Sequence, residues 1–206
     1  MRALIYFPII HSSKDLGSLS KAASDLRTEE QERLYIDAIE HFWRMIATTI
    51  DSLGLDFTNL KLYQDGLPVC GKEQEIVAEV ANSGSENYKL LQALHHKGAV
   101  LMGTESAELL VQEHSLMTQL LKLGESTDST LEIAQNLLDQ RDDFIAKRID
   151  KSLQDNEIAI LFLGLKHNII AKLPKDIVVV QPLGKPVGLE EASSIHFQIN
   201  NLQVLH

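Results

Sequence analysis

Short apolar runs that alternate with helical segments restrict the fold of this chain more than any other feature of its sequence. Each run has the length of a strand that is buried on both faces. The five runs are residues 3–7, 60–64, 99–102, 158–163 and 176–180. Pro8 is expected to end the first strand, and residues 195–205 are expected to form a last extended or edge segment. Strands that alternate with helices predict an α/β fold, with helices flanking a mostly parallel sheet.

The helical segments are concentrated between residues 28 and 153, so the middle region is helix-rich. The clearest helix is predicted over 28–53, where Thr28 and Gln31 form a capping box. Ser129 and Glu132 offer a second capping box, which is expected to begin a long helix that runs to about residue 153. An apolar stripe with helical period is predicted to bury one face of helix 28–53, and it consists of Ile36, Ile39, Trp43, Ile46 and Ile50. Shorter helices are predicted over 15–26, 73–80, 87–97 and 106–123.

Composition narrows the class of protein. The length of 206 residues suits a single α/β domain over residues 1–206. A net charge of −10 argues against a duplex nucleic-acid binder, and no apolar run is long enough to span a bilayer. Cys70 is the only cysteine, which excludes an intramolecular disulfide. We expect a cytoplasmic protein without a leader peptide and without nucleic-acid or membrane partners; a homodimer stays an open alternative.

Polar residues follow the predicted strands. In open α/β sheets, ligands bind beyond the carboxyl ends of the strands. We therefore expect His11, Asp65, Glu105 and His167 to lie near one another. Two of them also have ordinary structural explanations, because Asp65 precedes Gly66 in a turn and Glu105 lies in the first turn of a helix. The full set of strand-end candidates is His11, Ser12, Ser13 and Asp15, then Gln64 and Asp65, then Thr104 and Glu105, then His167 and Asn168.

Arg141 interrupts the apolar stripe of the long helix. It lies three residues after Leu138 and four before Ile145, and Arg148 follows on nearly the same side. A buried charge is costly unless it is paired. The expected partners of Arg141 are Asp65, Glu105 or Asp15, as part of either a functional site or a structural ion pair.

Familiar nucleotide and serine-hydrolase motifs are absent: the chain has no P-loop, dinucleotide fingerprint or Gly-x-Ser-x-Gly sequence. A Gly-x-x-His motif, Gly164 to His167, follows the fourth strand. With Pro8 to His11, Glu105 and Arg141, it resembles the Tiki/TraB/pheromone-shutdown superfamily and, more distantly, the erythromycin-esterase-like proteins. The resemblance implies a shared site of two strand-end histidines, a glutamate and an arginine, with divalent-metal-dependent peptidase activity in some members. Pro8 stands where that family has glycine.

Two functions from different classes are compatible with these residues. The first is a divalent-metal-dependent hydrolase for a small or peptide-like substrate, with zinc, manganese or ferrous iron as the ion. The second is a non-catalytic module that binds a small anion in the same pocket. A metal-free hydrolase with a histidine base, and a purely structural partner-binding protein, also stay open. For the metal-dependent hydrolase, we expect the metal ligands to be His11, Glu105 and His167. The expected catalytic residues are Asp65 (or Asp15) as general base and Arg141 as charge stabiliser. The expected substrate contacts are Asp15, Gln64, Arg148 and Asn168.

Overall fold

The computed structural model describes residues 1–12, 14–15, 28–123 and 127–186. All of the predicted helix over 15–26 except its first residue lies outside the described residues, as does the predicted segment 195–205.

The described residues form five strands and five α-helices, which confirms the predicted α/β class. The strands are β1 (Arg2–Ile9), β2 (Leu60–Gln64), β3 (Val100–Met102), β4 (Ile158–Gly164) and β5 (Ile177–Val180). The helices are α1 (Glu29–Ser52), α2 (Glu73–Asn82), α3 (Glu86–His96), α4 (Ala107–Leu123) and α5 (Asp128–Ser152), and short 3-10 turns cover Phe57–Asn59 and Ile170–Lys172. None of these helices combines the length and apolar character that a bilayer crossing requires.

The sheet is parallel throughout, with the order β3-β2-β4-β1-β5. Strand β4 therefore lies between β1 and β2, although it comes late in the chain. Ile9 of β1 pairs with Gly164 of β4, and Gln64 of β2 pairs with Phe162. The carboxyl ends of these three strands consequently lie side by side, about 4.8 Å apart.

Pro8 does not end the first strand, contrary to expectation. Strand β1 continues to Ile9, and Pro8 pairs with Leu163 of β4. On its other side β1 pairs with β5 only as far as Ile5. Beyond Ile5, this side of β1 has no partner strand among the residues that the structure describes, and proline is tolerated at such an edge.

The two faces of the sheet are covered by different helices. Helices α1, α2 and α3 pack on one face, where Trp43 lies between Phe42 and Phe162. The second half of α5 packs on the other face through residues such as Ile145 and Ile149. The predicted stripe of α1 is buried except for Ile36, which is 37% exposed.

Helix α5 begins earlier than expected. Its N-cap is Thr127, not Ser129, and its capping box pairs Thr127 with Thr130. The Thr127 backbone N–H donates to Thr130 Oγ1 at 2.9 Å, and Thr127 Oγ1 accepts from the Thr130 N–H at 3.3 Å. These reciprocal bonds satisfy the first free N–H groups two residues before the predicted start.

Helix α5 is longer than the sheet that it covers. Its 25 residues span about 37 Å, whereas the seven residues of β4 span about 23 Å. Near its end, the Ser152 carbonyl accepts a hydrogen bond from Lys61 Nζ at the amino end of β2. The first half of α5 therefore projects past the carboxyl ends of the strands, where it pairs with α4.

Candidate functional site

The Asp65 carboxylate lies at the centre of a buried ionic cluster beyond the carboxyl ends of β1, β4 and β2. Its Oδ2 atom is 2.9 Å from His11 Nε2 and 3.5 Å from His167 Nε2. The same atom accepts a 2.8 Å hydrogen bond from the Gly164 backbone N–H. The expected proximity of the strand-end residues is thus observed. We call the following residues the charged cluster: His11, Asp65, Glu105, Glu113, Arg141, Asp142 and His167.

Gly164 lies directly against the Asp65 carboxylate and the His11 imidazole. A Cβ atom at this position would lie 2.8 Å from Asp65 Oδ2 and 3.4 Å from His11 Nε2. The Gly164 carbonyl also accepts a hydrogen bond from the His167 N–H, at 3.1 Å. The Gly-x-x-His motif is therefore a turn that brings the imidazole back over its own glycine, and any side chain at 164 would displace the carboxylate.

Glu105 is fixed by hydrogen bonds between the loops after β2 and β3. The backbone N–H groups of Thr104 and Glu105 both donate to the Leu67 carbonyl, at 2.8 and 3.0 Å. The Val69 N–H donates to the Glu105 carbonyl at 2.9 Å. Glu105 is completely buried as a result. Its burial raises the pKa of its carboxyl group, while the adjacent Arg141 guanidinium opposes that rise.

Arg141 links three carboxylates. Its Nη2 donates to Asp65 Oδ1 at 2.7 Å and to Glu105 Oε1 at 2.5 Å, and its Nη1 donates to Glu113 Oε1 at 2.6 Å. The prediction that buried Arg141 is paired is confirmed for Asp65 and Glu105. Asp15 instead accepts hydrogen bonds from Ser12 and Ser85. Sequence reasoning missed Glu113, which lies mid-helix in α4.

Asp142 orients His167. Asp142 Oδ1 is 2.5 Å from His167 Nδ1, and Oδ2 accepts from the Asn168 N–H at 2.8 Å. A carboxylate only accepts, so Nδ1 carries the proton that faces Asp142. In the protonated ring Nε2 also carries a proton, which faces Asp65 Oδ2, and Nε2 gains a free lone pair only when the ring becomes neutral. The sequence offered one indication of Asp142, namely its position next to Arg141. Both residues are buried on the inner face of α5.

The charges of the cluster shift the pKa values of its histidines. Burial opposes protonation of His167, but Asp65 and the hydrogen bond to Asp142 outweigh it and raise the pKa of His167 to about 9. Against burial, Asp65 likewise raises the pKa of His11. Burial disfavours ionisation of Asp65, yet His167 and His11 hold its pKa well below the ordinary value. Four carboxylates and one guanidinium leave a formal excess of three negative charges when both imidazoles are neutral.

A metal ion can be held at this place. Asp65, Glu105 and His167 each offer a ligand atom, and these atoms all lie within 4.8 Å of one another. This set differs from the expected ligands by having Asp65 in place of His11. The residues fit a divalent cation, because the negative charge is in excess and because a histidine ligand ordinarily donates its other ring N–H to a carboxylate, as His167 does to Asp142.

A cavity of about 510 Å³ opens beside the charged cluster. Its polar side includes Asp15, which was predicted to contact substrate. Three other predicted substrate contacts, Gln64, Arg148 and Asn168, are not among the described residues that line it. The cavity is lined by His11, Asp15, Asp65, Tyr88, Glu113, His114, Gln135, Arg141, Lys166 and His167 on its polar side, and by Ile9, Leu110, Leu116, Met117, Leu131, Ala134, Leu137, Leu138 and Leu165 on its apolar side.

The three residues outside the cavity have structural contacts instead. Gln64 is fully buried, and its Nε2 donates to the Asp65 carbonyl at 3.0 Å. Arg148 Nε donates to the Gly103 carbonyl at 2.8 Å, beyond the end of β3. Asn168 contacts Asp142 through its backbone. Gln64 is the last residue of β2, whereas Asp65 lies in the turn that follows the strand.

No protein-family model matches the chain, and neither a curated protein nor a solved structure gives a significant match. The residues that suggested the Tiki/TraB/pheromone-shutdown superfamily, namely Gly164, His167, Glu105 and Arg141, do meet at one place. Membership of that superfamily stays a prediction.

Proposed function

We propose that this protein is a divalent-metal-dependent hydrolase that acts on a small or peptide-like substrate at the carboxyl ends of the sheet strands. One observation carries the proposal: His11 Nε2 and His167 Nε2 converge on Asp65 Oδ2, in a buried cluster whose carboxylates outnumber its fixed cation. A divalent cation would replace the protons that otherwise neutralise this excess charge.

Asp65, Glu105 and His167 would hold the ion, with His11 as a further nitrogen donor. Zinc, manganese and ferrous iron all accept such a mixed nitrogen and oxygen set. When bound, the ion supplies Lewis acidity, which polarises a carbonyl and lowers the pKa of water.

The other members of the cluster position these groups. Arg141 is committed to three carboxylates, so we assign it to holding them in place and not to stabilising charge on the substrate. Asp65, with its depressed pKa, is a weak proton acceptor at neutral pH. Glu113 is half-buried, lines the cavity and is fixed by Arg141, and we assign the proton-accepting role to it.

The anion-binding alternative has less support. It requires Arg141 to pair with a ligand, whereas Asp65, Glu105 and Glu113 already surround that guanidinium. An additional anion here would increase the excess negative charge, so the electrostatics favour a cation.

Metal titration tests the first half of the proposal. The protein is purified without a metal-affinity tag, stripped with EDTA and titrated with Zn²⁺ or Mn²⁺ in a calorimeter. One ion should bind per chain. His167→Gln should weaken binding by at least about 100-fold, and Asp142→Asn by about 10- to 100-fold because it orients a ligand. His96→Gln, an exposed histidine at the end of α3, is the matched control and should bind as the wild type does.

Activity assays test the second half of the proposal, namely that the protein is a hydrolase. The metal-loaded protein is assayed against a panel of simple esters and dipeptides, and Glu113→Gln should lower kcat while leaving the metal stoichiometry intact. A wild-type protein that binds no ion, or a His167→Gln variant with unchanged affinity, would refute the metal centre. A loaded protein that hydrolyses nothing in the panel would count against the hydrolase.

A further inference from the structure

The part of the cavity next to the charged cluster is aliphatic. Seven residues of α4 and α5, which we call the apolar wall, form it: Leu110, Leu116, Met117, Leu131, Ala134, Leu137 and Leu138. None of these seven belongs to either buried core cluster of the sheet. The wall therefore faces the cavity and does not serve the packing of the sheet.

The apolar wall is continuous with the charged cluster. Glu113 lies three residues after Leu110 and four before Met117 on α4, and Arg141 lies three residues after Leu138 on α5. Residues at these spacings are neighbours on a helix surface. One helix pair thus presents both an ionic and an aliphatic surface to the same cavity.

We propose that the substrate is amphiphilic: an ester or amide group lies at the charged cluster, and a straight aliphatic chain lies along the apolar wall. The assignment of the head group rests on the proposed function, whereas that of the chain rests on the wall alone. The wall contains only leucine, methionine and alanine, whose flexible or small side chains adapt to an alkyl chain. A cavity of about 510 Å³ is within the usual range for small-molecule sites.

The reaction is an ordinary hydrolysis. Water adds across the acyl C–O or C–N bond: its hydroxyl group goes to the acyl carbon and its proton to the leaving oxygen or nitrogen. No oxidant, reductant or further co-reactant is needed. The product that keeps the alkyl chain is a carboxylic acid when the chain is on the acyl side.

Titrations with straight-chain hydroxamic acids measure separately how the charged cluster and the apolar wall contribute to binding. A series from butanoyl to decanoyl hydroxamate is titrated by calorimetry into EDTA-stripped protein and into zinc-loaded protein. Affinity should rise by about two- to fourfold for each added methylene in both preparations, because each one leaves water for the apolar wall. Zinc should raise the affinity of every chain length by a similar factor, because it acts on the head group.

Paired variants locate the chain. Leu138→Gln in α5 and Met117→Gln in α4 should flatten the dependence on chain length. Ile133→Gln and Val111→Gln are the controls: these residues are 53% and 65% exposed on the same two helices and do not line the cavity. Thermal melts confirm that each variant is folded, and either of the two wall variants suffices for the test.

The outcomes distinguish this inference from the proposed function. A wild-type affinity that does not depend on chain length overturns the inference, even if zinc strengthens binding of every probe. A chain-length dependence without any zinc effect supports the apolar wall and counts against the metal centre. If Leu138→Gln leaves the chain-length dependence intact and instead converts a dimer to a monomer in light scattering, the wall is an interface between copies and the inference is wrong.

Discussion

Helices α1 and α5 are built alike and pack on opposite faces of the sheet, but their buried stripes differ. They have 24 and 25 residues, and each begins at a threonine N-cap with a capping box. The buried residues of α1 are all apolar or aromatic. The buried residues of α5 include Arg141 and Asp142 in the middle of the helix.

The difference shows what each stripe requires of the rest of the chain. A residue of the α1 stripe needs only a well-packed neighbour, so its replacement costs the packing that is lost. Arg141 and Asp142 need carboxylate and imidazole partners from the ends of β2, β3 and β4 and from α4. Removing either one leaves those buried partners without compensation.

The largest expected effect on stability is in α1. Trp43→Ala should lower the free energy of unfolding by about 3–5 kcal/mol, because the indole is 3% exposed and packs against Phe42 and Phe162. Urea denaturation measures the change, and the zinc affinity of the folded variant should be unaltered. Met45→Ala, at a 41% exposed position of the same helix, is the control and should change stability by less than about 0.5 kcal/mol. A wild-type denaturation curve for Trp43→Ala would contradict a scaffold role for α1.

The next effect is a pH dependence of stability, which arises from the contacts of His167 with Asp65 and with Asp142 of α5. The pKa of His167 in the folded protein is about 9, above its ordinary value of 6.5. Its protonation therefore stabilises the fold fully below about pH 6.5, and this contribution, roughly 3 kcal/mol, is lost as the pH rises through 9. Unfolding free energies are measured in EDTA from pH 6 to pH 10 for the wild type and for His167→Gln. If the two curves run parallel, folding does not raise the pKa of His167.

Arg141→Lys has a smaller expected effect on stability and a clear effect on binding. Lysine keeps the charge but loses the planar fork that reaches three carboxylates, so the free energy of unfolding should fall by about 1–3 kcal/mol. Because the ligand candidates Asp65 and Glu105 are then less well held, zinc affinity should fall by about 10- to 100-fold. Arg44→Lys on the exposed side of α1 is the matched control and should change neither quantity. A destabilised Arg141→Lys protein with wild-type zinc affinity would show that the ion pairs of Arg141 are purely structural.

The smallest effect concerns where α5 begins. Thr127→Ala should cost about 1 kcal/mol, as should Thr28→Ala at the equivalent position of α1, because each hydroxyl satisfies a free N–H group. Ser129→Ala, inside the first turn, should cost less than about 0.5 kcal/mol. Thermal melts of the three variants rank these positions. A larger loss of stability for Ser129→Ala than for Thr127→Ala would indicate that Ser129 is the N-cap of α5, as the sequence predicted.

Local sequence patterns predicted most of the fold. Strand β2 has the expected bounds, and the stripe of α1 is buried at four of its five positions. Tyr35 and Phe42 are buried where Ile36 was expected, because long aromatic side chains reach the core from the edges of a helical stripe. Periodicity identifies the buried face of a helix, but it does not show which residues at the edges of that face are buried.

The candidate site was only partly predictable. The strand-end rule selected His11, Asp65, Glu105 and His167 because the ends of neighbouring parallel strands must meet. Glu113 carries no such signal, since a glutamate on an amphipathic helix is ordinarily a solvated charge. Its partnership with Arg141 depends on how α4 packs against α5, and one sequence does not encode that packing in a readable pattern.

The position of β4 has a consequence for how the chain folds. Strands β1 and β2 each pair with β4 and not with each other, and the other partner of β1 is β5. Before residues 158–180 have been synthesised, both edges of β1 and one edge of β2 are therefore unpaired. The contacts of Asp65 with His11, Arg141 and Gly164 span 54, 76 and 99 residues, separations that favour slow, late assembly. The candidate ligands Asp65, Glu105 and His167 meet only after β4 is inserted, so a metal ion bound there would not be an early template for folding. The Gly164 amide, which bonds Asp65 across that junction, should exchange its hydrogen with solvent only when the whole sheet opens.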